Sequence, residues 1–424
     1  MKQFLVGAMV FMTLLLLGAC EKLTQPRLGP ELVTIEPAAV LVTEVWFQVK
    51  TARPDPSVTV VLERDGEAVQ QLMGLQDTVL ADSGLMPNRR YAYRLHLYRG
   101  SQSVGRTAAL RITTMDTTSH DFEWTVYEFP SPFGSGALYD VAIIDENNIW
   151  AVGEIYSDSA QPWLPYNAVH WDGQNWELKR ITYDGIPWPI KTIFAFAEDD
   201  IWFEAFVRWN GELFVELPIP DVLVGVGINK MWGTSSDDFY IVGNNGLIAH
   251  YDGRRWRRIE SGTEQYLQDV WGVVDRKSGK IIVYIAASHP LGYGEEEILK
   301  VTNQTNLDTV WWPFNRRVMS VWTDQPGQLF TCGAGIFRLG ADQRWREIGG
   351  IDVVNALTRR IRGMSENDIF AVGAFGAVVH FNGLTFKVYP EVASASYRSC
   401  DYKNHLMVAV GSGSSKAVVL KMWR

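Results

Sequence analysis

Three histidines occupy one place in a recurring phrase, and imidazole is a common metal ligand and a proton carrier near neutral pH. They stand in His170-Trp171-Asp172-Gly173, His250-Tyr251-Asp252-Gly253 and His380-Phe381-Asn382-Gly383. A metal needs ligands that converge within about 2 Å of one centre. One histidine per repeat spreads these groups apart instead, so the pattern points to a structural part of the repeat, and no metal site is expected. There is no His-x-x-x-His, His-Glu-x-x-His, acidic calcium loop or glycine-rich phosphate loop, and no cofactor is expected. Gly411-Ser412-Gly413 supplies only part of Gly-x-Ser-x-Gly, in a polar turn where a nucleophile elbow needs a strand-to-helix turn.

Carboxylates are plentiful, but most recur. Glu146, Asp199-Asp200, Asp237-Asp238 and Asp368 precede equivalent strands, where a short acceptor fixes a turn. Cleavage of a glycosidic bond needs two carboxylates facing one pocket at about 5 to 10 Å. Asp140 and Asp269, near the starts of two strands expected to line a central channel, are the pair to consider, and their expected state is solvated. The chain therefore reads as a non-enzyme. The competing reading is an enzyme of glycoside hydrolase or polysaccharide lyase type with a carboxylate site in that channel. The run Arg254-Arg255-Trp256-Arg257-Arg258 spans a hairpin turn and an outer strand, where solvated charge protects a sheet edge. With a net charge of −9 over 424 residues, a nucleic-acid partner is not expected.

These residues are carried by a repeat. Asp238-Phe239-Tyr240-Ile241-Val242-Gly243 with its following His-x-Asp-Gly returns as Asn148-Ile149-Trp150-Ala151-Val152-Gly153 and Asp368-Ile369-Phe370-Ala371-Val372-Gly373. Apolar first strands recur near 138–142, 190–194, 228–232, 267–271, 318–322, 361–364 and 397–400, at the roughly 36- to 52-residue intervals of a four-stranded propeller blade. Asp-Gly or Asn-Gly then makes the turn between third and fourth strands, where positive φ is required. The seventh unit lacks a fourth strand after 417–422. Residues 122–129 resemble fourth strands and are expected to close that blade from the N-terminal side. Residues 118–424 are thus read as a seven-bladed β-propeller. The two degenerate stretches, 190–225 and 272–312, leave six or eight blades open.

The repeat resembles a family of bacterial propellers with units Val-Trp-Gly-x-Ser-x-x-Asp-Ile-x-Ala-Val-Gly-x-x-Gly-x-Ile-x-His-x-Asp-Gly-x-x-Trp, matched almost throughout from Met231 to Trp256. The resemblance implies a secreted protein or lipoprotein and no common ligand. Residues 31–116 read as short strands between turns, and Leu85-Met86-Pro87-Asn88-Arg89-Arg90-Tyr91 resembles the fibronectin type III approach to its penultimate strand. That likeness implies an immunoglobulin-like sandwich with Tyr91 at a tyrosine corner and Trp46 in the core. Lys2, the apolar run from Phe4 and Leu17-Gly18-Ala19-Cys20 resemble a bacterial lipobox. It implies a signal peptide over 1–19, acylation of Cys20 and a tether over 20–30. Several acyl chains give stable anchoring. Glu21 after the cysteine favours the outer membrane. Cys332 and Cys400 are expected as buried thiols.

Loop length divides the two faces of such a ring. The turns joining strands one to two and three to four are tight. The insertions, at 154–166, 182–189, 218–227, 288–297, 313–317 and 349–358, fall on the other face. They are expected to bring Trp163, Tyr166, Trp188, Tyr293, Phe314, Arg316 and Arg317 to one rim, suited to sugar rings or to a partner's hot-spot side chains. The resulting expectation is a membrane-anchored envelope protein that binds or scaffolds a protein or glycan through its loop-rich face.

Overall fold

The computed structural model describes residues 32–204, 206–289, 295–350, 352–392 and 395–424, so Cys20, its tether and Tyr293 lie outside the described residues. The described chain is all-β apart from short 3-10 turns. No described helix is long and apolar enough to cross a membrane.

The first unit pairs Val33–Val40, Glu44–Thr51 and Thr78–Ser83 in one sheet. Facing it are Glu67–Leu75, Asp55–Arg64, Arg90–Arg99 and Gln102–Arg106, with Leu110–Thr113 also on Arg90–Arg99. Period-two alternation sends Val45, Phe47 and Val49 inward against Val60, Leu62, Tyr93 and Leu95. The Met86 N–H donates to the Tyr91 hydroxyl at 3.0 Å across the corner before that strand. Trp46 is not in this core, contrary to expectation. Its neighbours Val45 and Phe47 point inward, so strand alternation turns it outward, against Ala341 and beneath the Arg346 guanidinium 5.0 Å from its ring.

The rest forms seven four-stranded antiparallel sheets among the described residues, six of them paired in sequence order. Their first strands are Gly136–Asp145, Ile193–Ala197, Ile228–Ser235, Tyr266–Val274, Val318–Trp322, Thr358–Ser365 and Ser396–Lys403. These touch in series, and Ser396–Lys403 touches Gly136–Asp145 in turn. The seventh sheet is completed by Glu123–Pro130, which pairs with Lys416–Trp423 along its whole length. In the second sheet the first strand begins later than expected, at Ile193, because Pro187 and Pro189 lack the N–H that a ladder requires.

The recurring phrase builds the sheet. His170, His250 and His380 bond through Nε2 to Asn148, Asp238 and Asp368, at 3.0, 2.7 and 2.8 Å. Each imidazole also lies on the aromatic ring two residues after that partner: Trp150, Tyr240 or Phe370. In the next turn Asp172, Asp252 and Asn382 each accept two backbone N–H groups through Oδ1. The glycine closing Ala-Val-Gly has a steric reason. A Cβ on Gly153 would lie 2.0 Å from the Ala137 carbonyl oxygen, and one on Gly373 2.2 Å from that of Leu357. The bare backbone lets a bulged first strand approach closely. Cys332 and Cys400 are buried free thiols.

The sandwich docks on the tight-turn side of the fifth and sixth sheets. Glu44 pairs with Arg338 at 2.8 Å. Thr118 donates to the Asn367 carbonyl at 2.6 Å, and Asn367 donates to that of Asp116 at 2.8 Å. The loop-rich face lies on the other side of the ring.

Candidate binding site at the ring centre

In six of the seven first strands the register slips by one residue, between 138 and 140, 228 and 230, 267 and 269, 318 and 320, 358 and 360, and 397 and 399. The residue after each slip is polar and points to the centre of the ring. Thr192, whose carbonyl accepts the Glu204 N–H, takes the same place in the second sheet. The set is Asp140, Thr192, Lys230, Asp269, Ser320, Arg360 and Ser399, and all are buried.

They satisfy one another. Asp140 accepts from Lys230 Nζ at 2.6 Å to both oxygens, Thr192 Oγ1 at 2.8 Å and Ser399 Oγ at 2.7 Å. Asp269 accepts from Ser320 Oγ at 2.5 Å, from Arg362 at 2.9 and 3.0 Å, and from Arg360. Backbone donors of the following sheet join in: Ile193 N–H to Asp140 and Val321 N–H to Asp269. Burial pushes the Asp140 carboxyl up, but Lys230 and Arg360 outweigh it and hold it below the ordinary range. Burial opposes ionisation of Asp269 too, and Arg360 and Arg362 again prevail.

This corrects the expected state of both aspartates. They line the centre, but they are sealed in ion pairs instead of solvated. The reason is that the ring also supplies the cations Lys230 and Arg360, which the repeat phrase does not contain. A carboxyl held ionised and fully hydrogen-bonded is a poor general acid.

The seven residues just before the polar set sit one step nearer the loop-rich face. Tyr139, Lys191, Asn229, Gln268, Met319, Arg359 and Arg398, with Arg360 beneath, line a cavity of about 430 Å³. A second cavity of about 160 Å³, including Ala142, Phe194, Trp271 and Asp401, lies toward the tight turns; it shares Lys230 with the polar layer and is also lined by Arg362, a donor to Asp269. Among the described residues, Lys191, Arg359 and Arg398 form no ion pair. Arg359 bonds only Ser396 Oγ, at 3.2 Å, and burial and then the charge of Arg398 depress its guanidinium. Arg398 lies 5.0 Å over the Tyr139 ring.

The expected aromatic rim is only partly formed. Trp163 and Trp188 are exposed, but no ring contact joins them among the described residues. Tyr166 is covered by the Arg180 guanidinium at 4.3 Å. Phe314 packs on Phe337 and Trp312, so it belongs to the fifth sheet's core. Arg316 is paired with Glu347 at 2.5 Å, and Arg317 donates to the His289 carbonyl at 3.0 Å. Neighbouring groups engage Tyr166, Phe314 and Arg317, while Trp163, Trp188 and much of Arg316 stay exposed. No group of His, Cys, Asp and Glu among the described residues is placed to hold a metal.

No protein family and no curated protein matches the chain. Solved structures do. "YCF48 bound to D1 peptide" superposes with a TM-score of 0.52 at 14% identity, over 73% of this chain and all of that one. "YCF48 from Cyanidioschyzon merolae" gives 0.50 at 14%, over 70% and 98%. The "WD40 beta propeller domain of Doa1" gives 0.50 at 13%, over 72% and 98%. Most of this chain is a β-propeller. Identity this low carries the fold and no more. The cationic cavity lies at the centre of the ring of sheets, where the first strands begin.

Proposed function

We propose that the protein is a lipid-anchored bacterial envelope propeller, acylated at Cys20, that binds a partner at the hub of its loop-rich face. In this reading the seven sheets are seven blades closed by the N-terminal strand Glu123–Pro130. The first unit is a fibronectin type III-like spacer, and the outer membrane is the destination. The observation that carries the reading is the hub cavity: three cations without carboxylate partners among the described residues, on a protein whose net charge is −9. Uncompensated positive charge in a concave, pre-formed site favours ligand capture over self-pairing. Docking of the sandwich on the opposite face leaves this one unobstructed on the anchored molecule. A peptide-bound propeller among the structural neighbours fits a protein partner. The polysaccharide-cleaving alternative loses support because both of its carboxylates are consumed by the buried ion pairs.

The test compares partners captured from crosslinked envelopes by the wild type, by R359E/R398E and by a chain with the 156–165 loop shortened. Both changes are expected to remove the same partners. Capture unaltered in both would refute the face assignment. Independently, Cys20→Ser is expected to move the protein from the membrane fraction to the soluble one, and retention would rule out the acyl anchor.

A further inference from the structure

We infer that the hub cavity takes an extended polypeptide segment that presents carboxylates, from acidic side chains or from a chain end. The inference rests on the proposed binding face and adds the chemistry of what enters it.

The positive side is Lys191, Arg359 and Arg398. The carboxylates close to them are engaged elsewhere. Glu154 accepts from the Tyr139, Tyr156 and Ser135 hydroxyls at 2.5, 3.1 and 2.9 Å. Glu204 accepts the Lys191 backbone N–H at 2.5 Å, and burial pushes its carboxyl up to about 7, which weakens it as a counter-charge. Guanidinium groups take carboxylates in two-bond geometry, and here two of them flank one opening.

The same wall also offers acceptors. Asn229 spends its Nδ2 on Asn244 Oδ1 and the Leu267 carbonyl, at 3.0 and 3.1 Å. Gln268 spends its Nε2 on the Ser288 carbonyl at 3.0 Å. Their amide oxygens have no donor among the described residues. Sulfate would satisfy the cations only, because it brings no donor to these oxygens, and inorganic phosphate brings no more than one or two hydroxyls on a single small centre. A peptide brings both carboxylates and backbone N–H groups, and Met319 adds an adaptable apolar contact. An acidic glycan also carries both kinds of group, but it is bound best against open aromatic faces. The one aromatic ring in the lining, Tyr139, is covered by Arg398, while Trp163 and Trp188 lie outside the cavity.

The test is fluorescence polarisation on the full chain with a labelled, C-amidated acidic peptide. Its Asn/Gln counterpart and a neutral peptide with a free C-terminus run beside it, with oligogalacturonate and inorganic phosphate as competitors. The acidic peptide is expected to bind in a salt-sensitive manner and its Asn/Gln counterpart to fail. Binding of the free-end peptide would identify a chain end as a sufficient source of the carboxylate. R359Q/R398Q is expected to weaken binding roughly tenfold or more. Arg258→Gln, which removes a charge on an outer strand, should leave it unchanged. If the double variant does not fold, Lys191→Gln on its exposed side chain should weaken binding in the same direction. Equal binding of the Asn/Gln peptide, or no effect of any cavity variant, would overturn the inference. Stronger competition by oligogalacturonate or phosphate than by unlabelled acidic peptide would also overturn the polypeptide assignment, while partner capture that still depends on Arg359 and Arg398 would leave the face standing.

Discussion

Asp269 receives Arg360, Arg362, Ser320 and a backbone N–H, all within the protein interior. Two guanidiniums and a single carboxylate leave an excess positive charge, which Asp140 shares through its attraction to Arg360. Such a cluster adds little net stability over a well-packed apolar one, because the desolvation of every charge opposes it. Removing one member is a different matter, since the remaining charges stay buried without compensation. Asp269→Asn is therefore expected to cost about 3–5 kcal/mol, read as a lower midpoint in reversible denaturant unfolding. A shift under about 0.5 kcal/mol would mean that water reaches the cluster and screens it. The partition of roles is also informative at this scale. Adjacent positions divide the work, with Arg360 locked to Asp269 and Arg359 directed to the cavity.

Strands and turns were readable because their parts repeat as letters. The histidine latch, the Asp-Gly turn and the Val-Gly strand end each use one residue type in several sheets, so a single chain displays them without comparison to others. The polar layer was not readable in that way. Its seven members are Asp, Thr, Lys, Asp, Ser, Arg and Ser, related by position and not by type, and only Asp140 and Asp269 attract notice as chemistry. The signal that would have found the rest is the spacing: apolar, any residue, polar at the inner end of six of the seven units, as in Leu138-x-Asp140, Ile228-x-Lys230 and Tyr397-x-Ser399, with Thr358 in the apolar place of the sixth. The bulge that aims these pairs of neighbours, one to the layer and one to the cavity, depends on the close approach permitted by Gly153 and its equivalents. Loop length sorts the long connections onto one side of the ring, but it does not tell how their side chains pack. Phe314 is half-buried on Phe337 and Trp312, and Tyr166 is covered by Arg180, an outcome set by tertiary neighbours that no local pattern encodes.

At the scale of the whole molecule, a ring of sheets has one seam, and the way it is sealed governs the cavity at its hub. Glu123–Pro130 seals it by pairing with Lys416–Trp423, and Tyr127 and Phe129 carry the contact into the first sheet against Trp171 and Trp176. Arg424 ties the same region to the linker, donating to the Ser119 carbonyl at 2.5 Å and reaching Asp368. Tyr139 and Arg398 belong to the two first strands that meet across this seam, so opening it is expected to disturb the cavity wall. Replacing residues 123–130 with a Gly/Ser segment of equal length keeps the sandwich attached but removes the pairing strand. The exposed edge of Lys416–Trp423 then presents unpaired donors and acceptors to other copies. The expected result is a melting temperature lower by about 10 °C or more and concentration-dependent association in light scattering. Binding of the acidic peptide should fall with it, because Arg398 loses its fixed distance from Arg359. An unchanged transition with concentration-independent size would show that the seam is held by the inner strands alone, and that this strand is not needed to close the ring.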